Sequence, residues 1–316
     1  MHPTLIHVGD FPIGTYGVFL AIGFLAALTF VDRRARRFGL SNSDLSPFFL
    51  WTILSGIVMS RIVYIMVNWG QFVADPGAMI FSRSGFVFFG GLVGGFGGGL
   101  WWALRRGHPL WELADLVAPA IALGHAFGRM GCFLNGCCFG RVCSLPWGVR
   151  FPKILGSDGR TIIGSDPFVF QLDLAENPGR LSADEVLSGY HVNLADYTGN
   201  LSSTDTWSLP VHPTQLYGVV FLLGLFGLLF WWSGRKRFSG QVFWLYAVLY
   251  SAFRFGLDSL RAGLTGYVGP FSSTQLVCLL VLISAPFAYW ALAVRSRRME
   301  SAPADAGSGS GGPSEQ

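Results

Sequence analysis

Seven apolar blocks decide what this chain is able to become. They are Phe11–Val31, Pro47–Trp69, Phe86–Leu104, Leu113–Leu134, Val211–Trp232, Gln241–Leu257 and Thr274–Val294. Each is about 17–23 residues, the length a helix needs to cross roughly 30 Å of hydrocarbon. Charged residues make up only 13% of the 316 positions, against about 25% in a soluble domain. The expected fold is therefore an all-α polytopic membrane protein with seven transmembrane helices. Residues 11–294 form its single membrane domain.

The connections set the orientation. Arg33, Arg34, Arg36 and Arg37 follow the first block, Arg105 and Arg106 the third, and Arg235, Lys236 and Arg237 the fifth. Arg295, Arg297 and Arg298 follow the seventh. With seven spans these four segments share one side, which the positive-inside rule makes cytoplasmic. The N-terminus is then expected in the periplasm and the C-terminus in the cytoplasm. The opening MHPTLIHVGD has no basic flank, so no cleavable signal peptide is read there. The net charge of +4 comes from arginines beside apolar blocks, which fits membrane orientation and argues against a nucleic-acid surface.

Residues 135–210 are the main extramembrane stretch, with eight Asp or Glu against five Lys or Arg. They are expected to form a small periplasmic cap between spans four and five. The patches TIIG, FVFQLDL and YHVNL read as short strands within it. Residues 297–316 read as a disordered cytoplasmic tail from their Gly, Ser, Pro and Ala content.

Polar residues at membrane depth carry the functional signal. Counting about 1.5 Å per residue puts Tyr16, Arg61, His125, Arg129, His212, Arg254, Asp258 and Arg261 at the outer ends of five different spans. An arginine there is costly unless it faces a polar cavity or a partner. Two readings compete. In one, Arg61, Arg129, Arg254 and Asp258 staple one another together. In the other, the excess of arginine over Asp258 forms a pocket for a lipid phosphate, whose oxygens match guanidinium donors. His125 lies four residues before Arg129 on the same helix face, either as a bonded structural group or as a base beside the phosphate. Tyr16 is equally readable as an interface aromatic.

The stretch Gly128–Gly140, GRMGCFLNGCCFG, ends the fourth block and concentrates these features. Cys132, Cys137, Cys138 and the nearby Cys143 fall at the outer edge, where disulfides form. Disulfides, simple packing and a thiol relay all remain open for them. Their spacing matches no zinc-knuckle or ferredoxin pattern, so no metal site and no cofactor are expected. The glycines of FFGGLVGGFGGG read as close helix packing, not as a nucleotide loop.

Together these pieces resemble the prolipoprotein diacylglyceryl transferase family over about residues 10–294. The matching motifs are IGTYG, SRIVY, GGLVGG, ADLVAPAIALG, GRMGCFLNGCCFG, HPTQLY and RFGLDSLR, in order. The resemblance implies transfer of a diacylglyceryl group from phosphatidylglycerol to the lipobox cysteine of a prolipoprotein, releasing glycerol phosphate. It implies a monomer in the bacterial cytoplasmic (inner) membrane whose partners are that lipid and prolipoprotein signal peptides. Arg129 and Arg254 would bind the phosphate and act in catalysis, with Arg61 and Arg261 in support. Asn135 and Gly140 match the signature asparagine and closing glycine, Tyr16 the first-span tyrosine, and Asp115, Asp258 and Arg261 further polar positions. Tyr16 or His125 would serve in proton transfer. The chain departs from the family's pattern at four places. Phe89 stands where the family commonly has histidine, Cys132 for asparagine, Cys137 for glutamate, and Gly218 where glutamate follows HPTQLY. A lipid-group transferase with another acceptor, a thiol–disulfide protein using Cys137 and Cys138, and a lipid transporter are the competing classes.

Overall fold

The computed structural model describes residues 4–8, 11–36, 42–81, 87–154, 166–176, 201–202, 204–262, 267–268 and 270–300. Its first element is not a helix. Thr4–Val8 (β1) pairs antiparallel with Phe11–Gly14 (β2), so the first apolar block opens as a strand. Pro12 and Gly14 disfavour helix there, and helix α1 begins only at Thr15, running to Ala35. The all-α expectation is corrected accordingly: a second hairpin, Tyr267–Val268 (β3) with Phe271–Ser272 (β4), precedes the last helix.

The other six expected blocks are all helical in their main part. They become α2 (Asn42–Val67), α5 (Phe88–Arg106), α6 (Leu110–Asn135), α8 (Thr214–Ser233), α9 (Gln241–Asp258) and α10 (Ser273–Glu300). Short helices α3 (Trp69–Ala74) and α4 (Pro76–Phe81) follow α2, and α7 (Asp166–Glu176) lies in the stretch between α6 and α8. Five helices among the described residues are long and apolar enough to cross a membrane: α1, the Leu45–Val67 part of α2, α6, α8 and the Ser273–Arg297 part of α10. α5, rich in glycine and ending in Arg105 and Arg106, and α9, which carries Arg254 and Asp258, are not among those five. The outer surface fits lipid, with Val220 75%, Phe287 71% and Leu280 67% exposed. Water would penalise such side chains at that exposure, and hydrocarbon does not.

Helix α6 is the centre of the bundle. Its Leu113, Leu116 and Ala120 meet Val31 and Ala35 of α1, Phe48 of α2 and Trp102 of α5. Its Ala118, Ala122 and Ala126 meet Leu222, Leu225 and Leu229 of α8 and Val242 of α9. Alanines at i, i+4 and i+8 share one face and let α8 come close, so that dispersion contacts replace the hydrophobic drive absent in lipid. The α2–α5 pair uses the same device. A Cβ on Gly90 would sit 2.8 Å from the Met59 carbonyl oxygen, closer than real side chains approach.

The helix ends sort into two poles. At one, Arg34 of α1 stacks 4.4 Å over the Phe230 ring of α8, and Gln241 Nε2 donates to Tyr289 Oη at 2.9 Å. Asp115 is buried there. It accepts from Lys236 Nζ at 3.0 Å and from the backbone N–H groups of Gly240 (2.9 Å) and Phe243 (3.0 Å). It thus satisfies two orphan donors at the start of α9. Asp115 is a structural clamp at the pole opposite Arg129 and Arg254.

Among the described residues of the 135–210 stretch, isolated backbone bridges pair Val142 and Val149 with Val211 and Pro152 with Trp207. The FVFQLDL patch, expected as a strand, is helix α7. Its alternation coexists with a helical pattern, and the buried set Phe168, Gln171 and Leu172 follows i, i+3, i+4 spacing, which the fold selects. Gln171 Oε1 accepts from Leu209 N–H at 2.7 Å and ties α7 down. TIIG and YHVNL lie outside the described residues. Helix α10 continues through Glu300, so residues 297–300 are helical rather than part of a tail; residues 301–316 also lie outside the described set.

Candidate active site

The second pole gathers the first turn of α1, the last turns of α6 and α9, the start of α8 and the entry to α10. Arg129 and Asp115 are both on α6, about 21 Å apart by helix rise. Arg129 Nε donates to His125 Nε2 at 3.3 Å, and the His125 ring meets Tyr250 of α9 edge-on at 5.3 Å. His125 Nε2 is therefore engaged as an acceptor by Arg129. The Arg129 stem crosses Gly218, where an added Cβ would lie 3.3 Å from its Cγ. With glycine at 218 that position presents no side chain to Arg129.

Arg254 is buried, and its Nη2 pairs with Asp258 Oδ1 at 2.8 Å. Arg261 Nη1 approaches the same oxygen at 3.8 Å, and Ser272 Oγ donates to Asp258 Oδ2 at 2.9 Å. One carboxylate thus serves two guanidinium groups. Arg254 Nη1 and Arg261 Nε are buried without a hydrogen-bond partner among the described residues. Buried donors left unpaired are costly, and charged ones favour an anion. Arg129 and Arg261 both act electrostatically on Arg254, so three cations converge. Asp166 of α7 also approaches, close enough to Cys138 to interact with it. Asp258 is therefore not the only acidic group at this pole, although among the described residues Arg129, Arg254 and Arg261 outnumber Asp258 and Asp166. Burial, then the neighbouring Cys138, raises the Asp166 carboxyl above its ordinary range.

Tyr16 lies against the end of α6. A Cβ on Gly131 would be 3.2 Å from Tyr16 Cδ2, and the phenol is within electrostatic reach of Arg129 and the three neighbouring cysteines. Asn135 is the last residue of α6 before Gly136, whose left-handed φ of 83° caps the helix. Gly140 is wedged between two backbones: a Cβ there would sit 2.6 Å from the His212 carbonyl oxygen and 2.8 Å from that of Leu260. Its N–H donates to His212 O at 3.0 Å, and it bridges Arg261. Gly140 thereby brings the Arg261 segment against the signature turn. His212 Nδ1 is 3.4 Å from Tyr217 Oη, which accepts from Trp147 Nε1 at 2.9 Å. Burial and then Arg141 lower the His212 imidazole below its usual range. Arg61 donates to the carbonyls of Met79 and Ile80 in α4 and stands 5.5 Å over the Tyr64 ring. Those contacts tie α2 to α4. The side chain of Phe89 lies outside the described residues.

All five cysteines are free thiols. Spacing along the chain argued against a cluster, yet the turn after α6 brings the sulfurs of Cys132, Cys137 and Cys138 within 4.8 Å of one another. Two side chains that the sequence reading passed over hold this turn. Thr214 Oγ1 donates to Cys138 O at 2.8 Å and Gln215 Nε2 to Cys137 O at 2.7 Å. Both belong to the HPTQLY motif, which was the signal available for them. Within the cluster, hydrogen bonds from Cys132 and Cys137 lower the Cys138 thiol, helped by Arg261 and Arg129. The hydrogen bonds of Cys137 with Cys132 and then Cys138 push the Cys137 thiol up. Cys143 lies apart, its N–H bonded to Pro210 O at 2.9 Å.

The family profile described as prolipoprotein diacylglyceryl transferase matches residues 3–291. The phosphatidylglycerol–prolipoprotein diacylglyceryl transferase of Clostridium tetani is 28% identical over 289 residues, covering 92% of this chain and 97% of that protein. The protein of the same name from Thermus thermophilus is 31% identical over 297 residues, covering 89% of this chain and 95% of its own length. That from Gloeobacter violaceus is 26% identical over 302 residues, covering 94% and 95%.

Proposed function

Because this chain belongs to the prolipoprotein diacylglyceryl transferase family, we propose that its arginine pole binds phosphatidylglycerol by the phosphate and transfers the diacylglyceryl group to a lipobox cysteine of a prolipoprotein. The enzyme is a transferase of the bacterial inner membrane, crossing it several times. The acceptor thiolate attacks C3 of the glyceryl group. A C–S bond forms, the C–O bond to phosphate breaks, and the electron pair leaves on glycerol phosphate. Arg129 and Arg254 hold the phosphodiester and take up the charge that grows on the departing phosphate, which preorganised donors stabilise most at the transition state. Arg261 supports them through the shared Asp258, and Asn135 and Gly140 shape the rim. Arg61 acts further out.

The observation that carries this reading is the pair of buried guanidinium donors, Arg254 Nη1 and Arg261 Nε, with no hydrogen-bond partner among the described residues. Phosphate oxygens would satisfy both. In proton transfer Tyr16 is favoured over His125, because Nε2 of His125 already accepts from Arg129. The reading includes a periplasmic N-terminus, a cytoplasmic C-terminus, seven spans and a cap over residues 135–210. It takes the working enzyme as a monomer.

The test is transfer from phosphatidylglycerol to a lipobox peptide by the purified protein, with products identified by mass spectrometry. Arg129→Ala and Arg254→Ala are each expected to lower kcat/KM by on the order of 10²-fold or more. Unchanged transfer in either variant removes that arginine from the site, and unchanged transfer in both rejects the phosphate pocket.

A further inference from the structure

We infer that Cys132, Cys137 and Cys138 form a three-thiolate site for one zinc ion, whose fourth position takes the acceptor thiol of the substrate. The second half of that statement rests on the transferase reading; the first half does not. The three sulfurs lie within 4.8 Å of one another. A Zn–S bond of about 2.3 Å places tetrahedral sulfurs roughly 3.8 Å apart, so binding needs a contraction of about an ångström and no refolding. The scaffold is already fixed. Gly136 turns the chain out of α6 at φ 83°, and Thr214 and Gln215 pin the carbonyls of Cys138 and Cys137. Cys138 is held at φ 60°, the one non-glycine positive φ among the described residues. A strained backbone kept in place by its surroundings is characteristic of functional sites.

The donor set selects the ion. Thiolates favour soft and borderline metals. Three protein ligands with an open fourth position are the pattern of catalytic zinc, and Zn2+ carries no redox burden at an oxidising face. Three thiolates and Zn2+ leave one negative charge, and a fourth thiolate makes two. Arg129 and Arg261 lie beside Cys138 and offset that charge. All three cysteines are partly exposed, so the metal remains reachable. The acceptor thiol would lose its proton to solvent on taking the fourth position. As a metal-held thiolate it would then attack the glyceryl carbon, its sulfur leaving zinc as the C–S bond forms. On this route solvent takes the proton that Tyr16 would otherwise accept, which matches a site where His125 Nε2 is already engaged.

The experiment uses the full-length protein, purified in detergent with zinc supplied during growth. Plasma mass spectrometry is expected to find about one zinc per chain, lost in Cys137→Ser and in Cys138→Ser and kept in Cys143→Ser. Reconstituted with Co2+, the wild type should show sulfur-to-cobalt charge-transfer absorption. A lipobox peptide should intensify it and the peptide with serine at that position should not. Absence of zinc in the folded wild type, zinc retained by both serine variants, copper in its place, or a disulfide among the three overturns the site. A cobalt spectrum unmoved by the peptide thiol overturns the fourth ligand. Neither readout needs lipid. Zinc binding without transfer leaves the site standing and fails the transferase reading, whereas transfer without zinc does the reverse.

Discussion

At the scale of single residues, the pole is decided by close approaches. Gly140 shows this best, because its α-carbon lies where three segments cross. Its replacement by alanine would put a methyl 2.6 Å from one carbonyl oxygen and 2.8 Å from another, and neither is the end of a flexible side chain. Gly140→Ala is expected to lower stability by about 1–3 kcal/mol, read as a fall in thermal midpoint in detergent. It should also shift Arg261, which is bridged to Gly140, and raise KM for the lipid. An unchanged midpoint would mean that the crossing relaxes freely. Gly218 acts by absence: a Cβ there would lie 3.3 Å from Arg129 Cγ, and glycine leaves that stem uncrowded.

At the scale of elements, α6 works as a ruler. One end carries Asp115, which fixes the α8–α9 connection, and the other carries Arg129. Removing Asp115 leaves Lys236 and two backbone donors unpaired in a buried setting. Asp115→Ala should cost about 2–3 kcal/mol, less than a fully buried pair because Lys236 keeps some contact with water. The measurement is denaturation in detergent, with Lys236→Ala as the milder companion. Loss of transfer in Asp115→Ala with an unchanged midpoint would contradict a structural role. Helix α7 belongs to this scale too. Its alternating residues suit a strand, but its second apolar pattern buries Phe168, Gln171 and Leu172 together, and the anchored Gln171 decides the outcome.

At the scale of the whole molecule, helix polarity separates the pole of Arg129, Arg254 and Arg261 from a pole rich in basic connections. Arg34, Arg235 and Lys236 sit with the ends of α1, α6, α8 and α9, opposite Arg129 and Arg254. Under the proposed topology, a green fluorescent protein fused after Glu300 should fluoresce and alkaline phosphatase fused there should be inactive. Phosphatase inserted within 155–165 should be active. The opposite pattern would invert the membrane orientation while leaving the bundle as described.

Hydrophobic block length was enough to yield the helical bundle and its main boundaries, because bilayer thickness acts on the chain locally, while the ordered motifs from IGTYG to RFGLDSLR pointed to the family. The same reasoning brought out Arg129, Arg254, Asp258 and Arg261. Other features depended on contacts between distant segments. Asp166, Ser272, Thr214 and Gln215 contribute only where separate helices end together. The N-terminal hairpin was hidden because Phe11–Gly14 is apolar enough to look like the start of a span. The cysteines mark the limit most clearly. Their linear spacing spoke against a metal site, whereas a glycine-capped turn and two side chains of α8 bring the three sulfurs together. Distance in space, not position in sequence, sets what three thiols can bind.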